Sequence, residues 1–258
     1  MRSQHGADYQ HLARPVGVLV GEYPAKDHDP PHAHERAQLI YASAGVVSVM
    51  TGEASFTIPP QRAVWMPAGV VHEAIFKSPV LLRTLYIEAQ IDPRLPDRPQ
   101  VLKVSPLLRE LIVEACDMPL DYDEAGREGR IMRLILDEIV EAAARAAVAL
   151  RIPMPATERL VRVCRLVMRD PAGEADIDVR AAAAGMSRRT FTRAFRTETG
   201  MSFNAWLQQV RLAEALSLLS QGQSVTTAAF DVGYNSASAF TAMFRRTFGV
   251  APRGYFTD

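Results

Sequence analysis

Residues 177–200 read IDVRAAAAGMSRRTFTRAFRTETG, and residues 225–249 read VTTAAFDVGYNSASAFTAMFRRTFG. The second stretch repeats the first: the alanine and glycine positions recur 48 residues later and the two central phenylalanines recur 49 residues later. In each copy a short alanine-rich segment precedes the glycine and an amphipathic segment follows it. A glycine joining two short helices is typical of a helix-turn-helix unit, so the repeat predicts two of them.

The second helix of the first copy has two distinct faces. Ser187 stands at the N-cap position, and Phe191 and Phe195 are four residues apart and point inward. Another face carries arginines at spacings i, i+4 and i+7, namely Arg189, Arg193 and Arg196. Core packing explains the glycine and the phenylalanines but not three arginines on one face. This face is therefore predicted to enter the major groove of DNA.

The second copy has a less basic reading face. Asn235 or Ser236 is expected at the helix N-cap, with Phe240 and Phe244 buried. The side chains left towards the groove are Ser238, Thr241, Ala242 and Arg245. Arg245 and its neighbour Arg246 are expected on phosphate. A connecting helix over residues 203–219 is expected to hold the two units about one DNA turn apart.

The run GMSRRTFTRAFRTETGMSFNAWLQQVRLAEALSLL, followed by DVGYNSASAFTAMFRRTFGVAPRGYF, resembles the DNA-binding domain of the AraC family of transcription regulators. The resemblance covers about residues 157–256. It implies base contacts by Arg189, Thr192 and Arg193 of the first recognition helix, and by Ser238, Thr241 and Ala242 of the second. The predicted DNA-binding set also includes Arg188. Because the family often has arginine where this chain has Ala242, the first helix is expected to carry most of the specificity.

The distribution of charge supports this assignment, although the formal net charge is zero. Residues 1–155 hold 16 basic and 20 acidic side chains, whereas residues 156–258 hold 13 basic and 9 acidic ones. All 13 basic residues of the second part are arginine, whose planar fork suits phosphates and guanine edges. An excess of four charges alone also fits a solvated helical surface.

The N-terminal half has the alternating runs and turn residues of β-structure. Strands are predicted over residues 37–41, 46–50, 63–66 and 80–87, which suggests a small barrel or sandwich. Helical periodicity begins near Ser105, and one long helix places on one face Ile131, Leu134, Ile135, Ile139, Ala142, Ala146 and Leu150. That face either packs on the barrel or associates with a second copy. Residues 152–155, Ile-Pro-Met-Pro, are the expected linker, and Thr157 is the expected cap of the next helix.

A histidine pattern in this half predicts a binding site. His32 and His34 would share one face of a strand, Gln38 would share that face if the strand continued, and His72 would approach from another strand. The spacing His-x-His-xxx-Gln-xxxxxx-Gly, then Pro-x-Gly-xx-His, resembles the two cupin motifs, with Gln38 replacing glutamate, Gln61 replacing glycine and Phe76 replacing asparagine. Three imidazoles suit zinc, nickel, copper or iron. Alternatively, they line a metal-free effector pocket or serve the structure alone.

The predicted fold is α+β in two domains, a cupin-like β-barrel followed by an all-α domain with two helix-turn-helix motifs. The predicted boundaries are 1–100 for the sensor, 101–152 for a helical linker or dimerisation segment, and 153–258 for the DNA-binding domain. The predicted function is a cytoplasmic, homodimeric, non-enzymatic transcription regulator that responds to a small molecule or metal. The alternative is a cupin-type metalloenzyme with a DNA-binding appendage. It is disfavoured because Glu35 and Glu73, the nearest carboxylates, should face away from the histidines.

Overall fold

The computed structural model describes residues 3, 5–145, 151–173 and 176–255. The chain divides into two compact units, one of Met1–Thr51 with Phe56–Val148 and one of Gly52–Ser55 with Ala149–Asp258. The first unit contains antiparallel sheets and two helices, and the second is helical. The predicted α+β class is confirmed.

The strands of the first unit form two facing antiparallel sheets. They are β1 Val16–Tyr23, β2 His28–His32, β3 Ala37–Ala44, β4 Val47–Thr51, β5 Ala54–Ile58, β6 Arg62–Met66, β7 His72–Phe76, β8 Val80–Ile87 and β9 Gln100–Lys103. One sheet has the order β1-β8-β3-β6-β9, and the other contains β5-β4-β7-β2. The predicted strands correspond to β3, β4, β6 and β8 and are confirmed. The strands expected to carry His32 and His72 correspond to β2 and β7, and β1, β5 and β9 were not predicted.

Strand alternation gives the first sheet an inner and an outer face. On β8, Leu82, Thr84 and Tyr86 line a cavity, while Leu85 and Ile87 belong to a hydrophobic core on the other side. That core includes buried side chains of α1 (Pro106–Asp117) and α2 (Arg127–Ala144). The helices therefore cover the outer face and leave the inner face for the cavity.

The two helices follow their sequence signals with one correction. The Ser105 hydroxyl accepts the Leu108 amide and caps α1. On α2, Ile135 and Ile139 are fully buried, but Leu134 is 41% exposed because the face that packs on the sheet is centred one residue further along. That face is completed by Met132 and Leu136. The predicted members Ala146 and Leu150 lie outside the described residues.

The second unit begins with a short strand where a free linker was expected. β10 spans Arg151–Pro153, and the next amide, that of Met154, donates to the Glu53 carbonyl at 2.7 Å. Ile152 and Met154 are 3% and 7% exposed, and the Trp206 indole donates to the Pro153 carbonyl at 2.7 Å. The linker expectation was wrong for this stretch because these apolar side chains are buried and the backbone is paired.

The described part of the second unit contains six α-helices. They are α3 Glu158–Arg169, α4 Ile177–Ala183, α5 Arg188–Thr199, α6 Phe203–Ser220, α7 Val225–Asp231 and α8 Ala237–Phe248. Thr157 takes the N-cap position of α3, but its hydroxyl donates to the Glu198 carboxylate at 2.6 Å instead of accepting a helix amide. None of the described helices is both long enough and apolar enough to cross a membrane.

The turn geometry explains two residue choices. Gly185 and Gly233, at the two helix-helix turns, have φ of 64° and 85°, a left-handed conformation in which any other residue carries a penalty. Gln61, where the cupin-like motif would have glycine, also adopts φ of 67°. Its carbonyl accepts the Val104 amide at 2.9 Å, a hydrogen bond that helps to hold this strained turn.

Candidate functional site

The first recognition helix, α5, is formed by local signals and presents a basic surface. Ser187 accepts the Thr190 amide at the N-cap, and Gly200 ends the helix with φ of 72°. Phe191 and Phe195 are fully buried and contact the rings of Phe203 and Trp206. The opposite side is exposed and carries Arg188, Arg189, Arg193 and Arg196, with Thr192 partly exposed between them.

The arginines of α5 do not all have the same surroundings. Arg188 forms an ion pair with Asp178 of α4, with an N–O distance of 3.0 Å between exposed side chains. This pair orients Arg188 along the first turn of α5. Thr192 donates its hydroxyl to the Arg188 carbonyl at 2.9 Å. Arg193 and Arg196 form no ion pair within the described part of the chain, so their guanidinium groups stay available for a ligand.

The second recognition helix, α8, borders a groove of about 510 Å³. Ser236 caps the helix by accepting the Ala239 amide, and Phe240 and Phe244 are fully buried. The groove contains the predicted contact residues Ser238, Thr241, Ala242 and Arg245, together with Thr226 and Arg253, which the sequence analysis missed. Arg253 lies after the repeat. The only sequence signal for it was its position just after Gly249 and Pro252, at the end of the second helix-turn-helix unit. Arg246 is exposed beside this groove.

In the first unit, three histidines converge at one end of the cavity. Nitrogen atoms of His32, His34 and His72, one from each ring, all lie within 4.8 Å of one another. The Nε2 atoms of His32 and His34 are 3.1 Å apart, and the His72 ring lies 4.6 Å from the His32 ring. The cluster predicted from the sequence is therefore brought together. Among the described residues, this trio is the group whose histidine, cysteine or carboxylate atoms are close enough to share a metal ion.

Backbone carbonyls fix the protonation of two of these rings. His32 Nδ1 lies 2.7 Å from the Pro30 carbonyl, and His72 Nδ1 lies 2.9 Å from the Val70 carbonyl. A carbonyl only accepts, so each Nδ1 carries the proton and each Nε2 presents a lone pair. Burial, together with the neighbouring His32 and His72, lowers the pKa of His34 to about 4. Burial also lowers the pKa of His72. Both shifts favour the neutral imidazole, which is the form that ligates metals.

Gln38 reaches the cavity by a different route from the one predicted. β2 ends at His32 and the chain crosses to the other sheet, so His34 lies in a loop and Gln38 lies on β3. The Gln38 amide nitrogen donates to the Tyr86 hydroxyl at 3.2 Å, and the His34 ring meets the Tyr86 ring edge-on at 5.0 Å. The strand of His32 does not continue to Gln38, so the two residues do not share a strand face as predicted. Gln38 nevertheless lines the same cavity as the histidines.

The cavity has a volume of about 690 Å³ and lies between the two sheets. Its walls are mainly apolar and aromatic, and they include Leu19, Ile40, Val47, Phe76, Leu82 and Tyr23. Thr84, which the sequence analysis missed, is fully buried among them. The available sequence signal was that Thr84 lies two residues from both Leu82 and Tyr86, so that all three share one face of a strand. A pocket of this size is typical of small-molecule sites. Beside the apolar wall its lining also contains histidines, carboxylates and the amide of Gln38.

The remaining histidines and carboxylates surround this cavity. His28 Nε2 lies 2.9 Å from the Glu73 carboxylate, which makes His28 a hydrogen-bonded side chain and not a free one. His11 lies 3.7 Å from Glu35 with both side chains exposed, and His5 also lines the cavity. Glu35 contributes to the lining, contrary to expectation, because it lies in the loop between β2 and β3 where strand alternation does not apply.

Comparison with known proteins matches both units. Residues 16–151 match the family described as an AraC-like ligand binding domain, and residues 180–258 match one described as a helix-turn-helix domain. The HTH-type transcriptional regulator NimR of Escherichia coli is 30% identical over 226 residues, which covers 88% of this chain and 81% of that protein.

Two solved structures are also similar. The DNA-binding domain of AdpA, solved in complex with a target DNA, is 35% identical over 38% of this chain and 90% of that chain, with a TM-score of 0.37. ToxT from Vibrio cholerae is 12% identical and covers 94% of this chain and 98% of that chain, with a TM-score of 0.39.

Proposed function

Because the chain belongs to the AraC family of DNA-binding transcription regulators, we propose that its DNA binding is modulated by a small molecule or metal bound between the sheets of the first unit. The observation that carries the proposal is the convergence of three histidine rings at one end of the cavity between the sheets. A ligand changes DNA affinity only by its differential affinity for the DNA-binding and non-binding states.

DNA recognition is assigned unequally to the two helix-turn-helix units. On α5, Arg189 and Arg193 project from the exposed side of a helix fixed by buried aromatic rings, the arrangement required for bidentate contacts to guanine. On α8 the groove residues Ser238, Thr241 and Ala242 are short and uncharged. We assign most sequence discrimination to α5, and phosphate contacts to Arg245 and Arg246.

The three histidines fit a divalent first-row transition metal. Their nitrogen atoms converge, burial lowers the pKa of His34 and His72, and the Pro30 and Val70 carbonyls orient the rings of His32 and His72. Hydrogen bonds from the second ring nitrogen to a backbone carbonyl are usual at imidazole metal sites. A metal bound there would supply a positively charged centre with an open coordination position. Gln38 stays a predicted fourth ligand, with its amide already held by Tyr86.

Elemental mass spectrometry of the purified, untagged protein tests the metal. The comparison is a His32→Ala/His72→Ala double variant, with His11→Ala as a matched control because His11 is exposed and outside the trio. Near-stoichiometric metal that is lost in the double variant and kept in the control is expected. Absence of metal in the wild-type protein, even after incubation with Zn²⁺, Ni²⁺, Cu²⁺ and Fe²⁺, would leave an organic effector as the modulator.

The modulation itself is tested on DNA. A site selected in vitro from random duplexes is titrated with protein, with and without the metal found in the first experiment. A change in affinity that His72→Ala abolishes while DNA binding remains is expected. A His72→Ala protein that responds like the wild type would remove the cavity from the mechanism. Steep loss of binding with added salt is expected in both proteins, because arginine contacts release counterions from phosphate.

We further propose a cytoplasmic homodimer that acts without enzymatic activity. Apolar side chains on the helical part of the first unit are exposed to solvent, at 48% for Leu107, 41% for Val113 and 41% for Leu134. Their burial between two copies would place four helix-turn-helix units on a repeated site.

A further inference from the structure

Two buried polar atoms on the inner face of the first sheet have no hydrogen-bond partner among the described residues. They are the side-chain oxygen Oε1 of Gln38 and the hydroxyl Oγ1 of Thr84. Gln38 is 7% exposed and Thr84 is fully buried, and both line the cavity. An unsatisfied polar atom in a protein interior costs about 1–3 kcal/mol, so natural proteins rarely keep one without a use.

The two atoms belong to neighbouring positions of the sheet. In the β3–β8 register Gln38 pairs with Tyr86, and Ile40 pairs with Thr84. Gln38 and Thr84 are therefore diagonal neighbours on one face of the sheet, a relation that brings long side chains within reach of each other. The Gln38 amide nitrogen is already used by the Tyr86 hydroxyl, which leaves the oxygen as the free end.

The charge of the lining restricts the ligand further. Within the part of the chain that the structure describes, no lysine or arginine lines the cavity, while Asp27, Asp29 and Glu35 do. Gln38 Oε1 is an acceptor without a partner among the described residues. A buried organic anion would find no lysine or arginine there, and burying an unpaired charge is costly. A molecule that donates hydrogen bonds is complementary to these groups.

We infer, on the basis of the proposed function, that the effector is an uncharged or cationic organic molecule with an apolar body and an O–H or N–H group that binds Gln38 and Thr84. The apolar body packs against Ile40, Phe76 and Leu82, which line the same cavity. This group donates a hydrogen bond to Gln38 Oε1. A ligand hydroxyl also accepts a hydrogen bond from the Thr84 hydroxyl, whereas a ligand N–H group donates to the Thr84 oxygen instead. Both orphaned atoms are then satisfied in the complex and not before it.

The test uses three probes of equal ring size. 2-Naphthol has the donor, 2-methoxynaphthalene lacks it, and 2-naphthoate carries a negative charge. Dissociation constants are measured by fluorescence and calorimetry on the full chain without DNA, both as purified and after dialysis against EDTA. Binding of 2-naphthol at least about ten-fold tighter than either of the other probes is expected. The inference would be overturned if 2-methoxynaphthalene bound as tightly as 2-naphthol, if 2-naphthoate bound more tightly than 2-naphthol, or if 2-naphthol did not bind.

Two variants separate recognition from a structural role. Thr84→Val removes only the unpaired hydroxyl, so it should leave the melting temperature of the free protein unchanged or raise it. It should nevertheless increase the dissociation constant of 2-naphthol by about five-fold. Thr57→Val is the matched control, because Thr57 is buried in the same unit but does not line the cavity. It should leave the affinity for 2-naphthol unchanged.

The outcomes also distinguish this inference from the proposed function. A Thr84→Val protein that binds 2-naphthol as the wild type does would show that the orphaned atoms hold ordered water instead. That result would overturn the assignment of Gln38 and Thr84. It would leave untouched any metal held by the histidines and any effect of that metal on DNA affinity, because those are measured without the organic probe.

Discussion

Replacement of Arg193 by alanine tests whether α5 reads bases. Arg193 is exposed and makes no ion pair with any described residue, so its loss should change the free energy of unfolding by less than about 0.5 kcal/mol. If its guanidinium group binds a guanine edge through two hydrogen bonds, its loss costs about 1–3 kcal/mol on the specific site. This corresponds to an increase of about 5- to 150-fold in the dissociation constant.

The assay is fluorescence anisotropy on a site selected in vitro, compared with a random duplex of the same length at several salt concentrations. Arg193→Ala should weaken the selected site strongly and the random duplex by less than about two-fold. Arg193→Lys keeps the charge but loses the planar fork, so it should recover little of the specific affinity. The reference is Arg245→Ala on α8, which should weaken both duplexes alike and reduce the salt dependence by about one counterion.

Equal losses on the selected and random duplexes for Arg193→Ala would refute the reasoning. Near wild-type affinity of Arg193→Lys for the selected site would also refute it, because a point charge is sufficient to bind a phosphate. Arg193 would then be a positioning contact on the DNA backbone. Sequence discrimination would have to come from other side chains or from DNA shape.

Four further perturbations have defined outcomes. Phe195→Ala removes a fully buried ring and should destabilise the second unit by about 3–5 kcal/mol in urea unfolding, and a loss below 1 would mean that the core refills the space. Glu198→Gln weakens the carboxylate bonds to the start of α3 and should cost about 1 kcal/mol at neutral pH. Burial raises the pKa of the Glu198 carboxyl, but the hydrogen bonds from Thr157 and Ala156 outweigh burial and hold the pKa below its usual value. The extra stability of the wild-type protein over Glu198→Gln should therefore persist at neutral pH and shrink as the pH falls through the lowered pKa of Glu198. Gly6→Val places a Cβ against the Tyr86 hydroxyl and should weaken the binding of 2-naphthol, and an unaltered affinity for 2-naphthol would count against this contact. Leu134→Glu should convert a dimer to a monomer in light scattering, and an unchanged mass would exclude this surface.

The sequence by itself determined the helical unit almost completely. The caps Ser187 and Ser236, the glycine turns and the buried phenylalanines depend on residues within a few positions of one another, and the structure has them as predicted. Helix periodicity and cap chemistry are local, so they are readable before any tertiary contact is known. The connecting helix was also predicted to within one residue at its end.

The tertiary structure decided the cavity. The histidine trio was readable from the spacing of motifs. Gln38 was expected on the face of His32 only if that strand continued, and the chain changes sheets between them. Thr84 carried no motif, and its burial beside Gln38 follows from the pairing of β3 with β8 across 44 residues of chain at Ile40 and Thr84. Which strands pair, and which face meets the helices, is set by contacts between distant segments, and no local pattern encodes them.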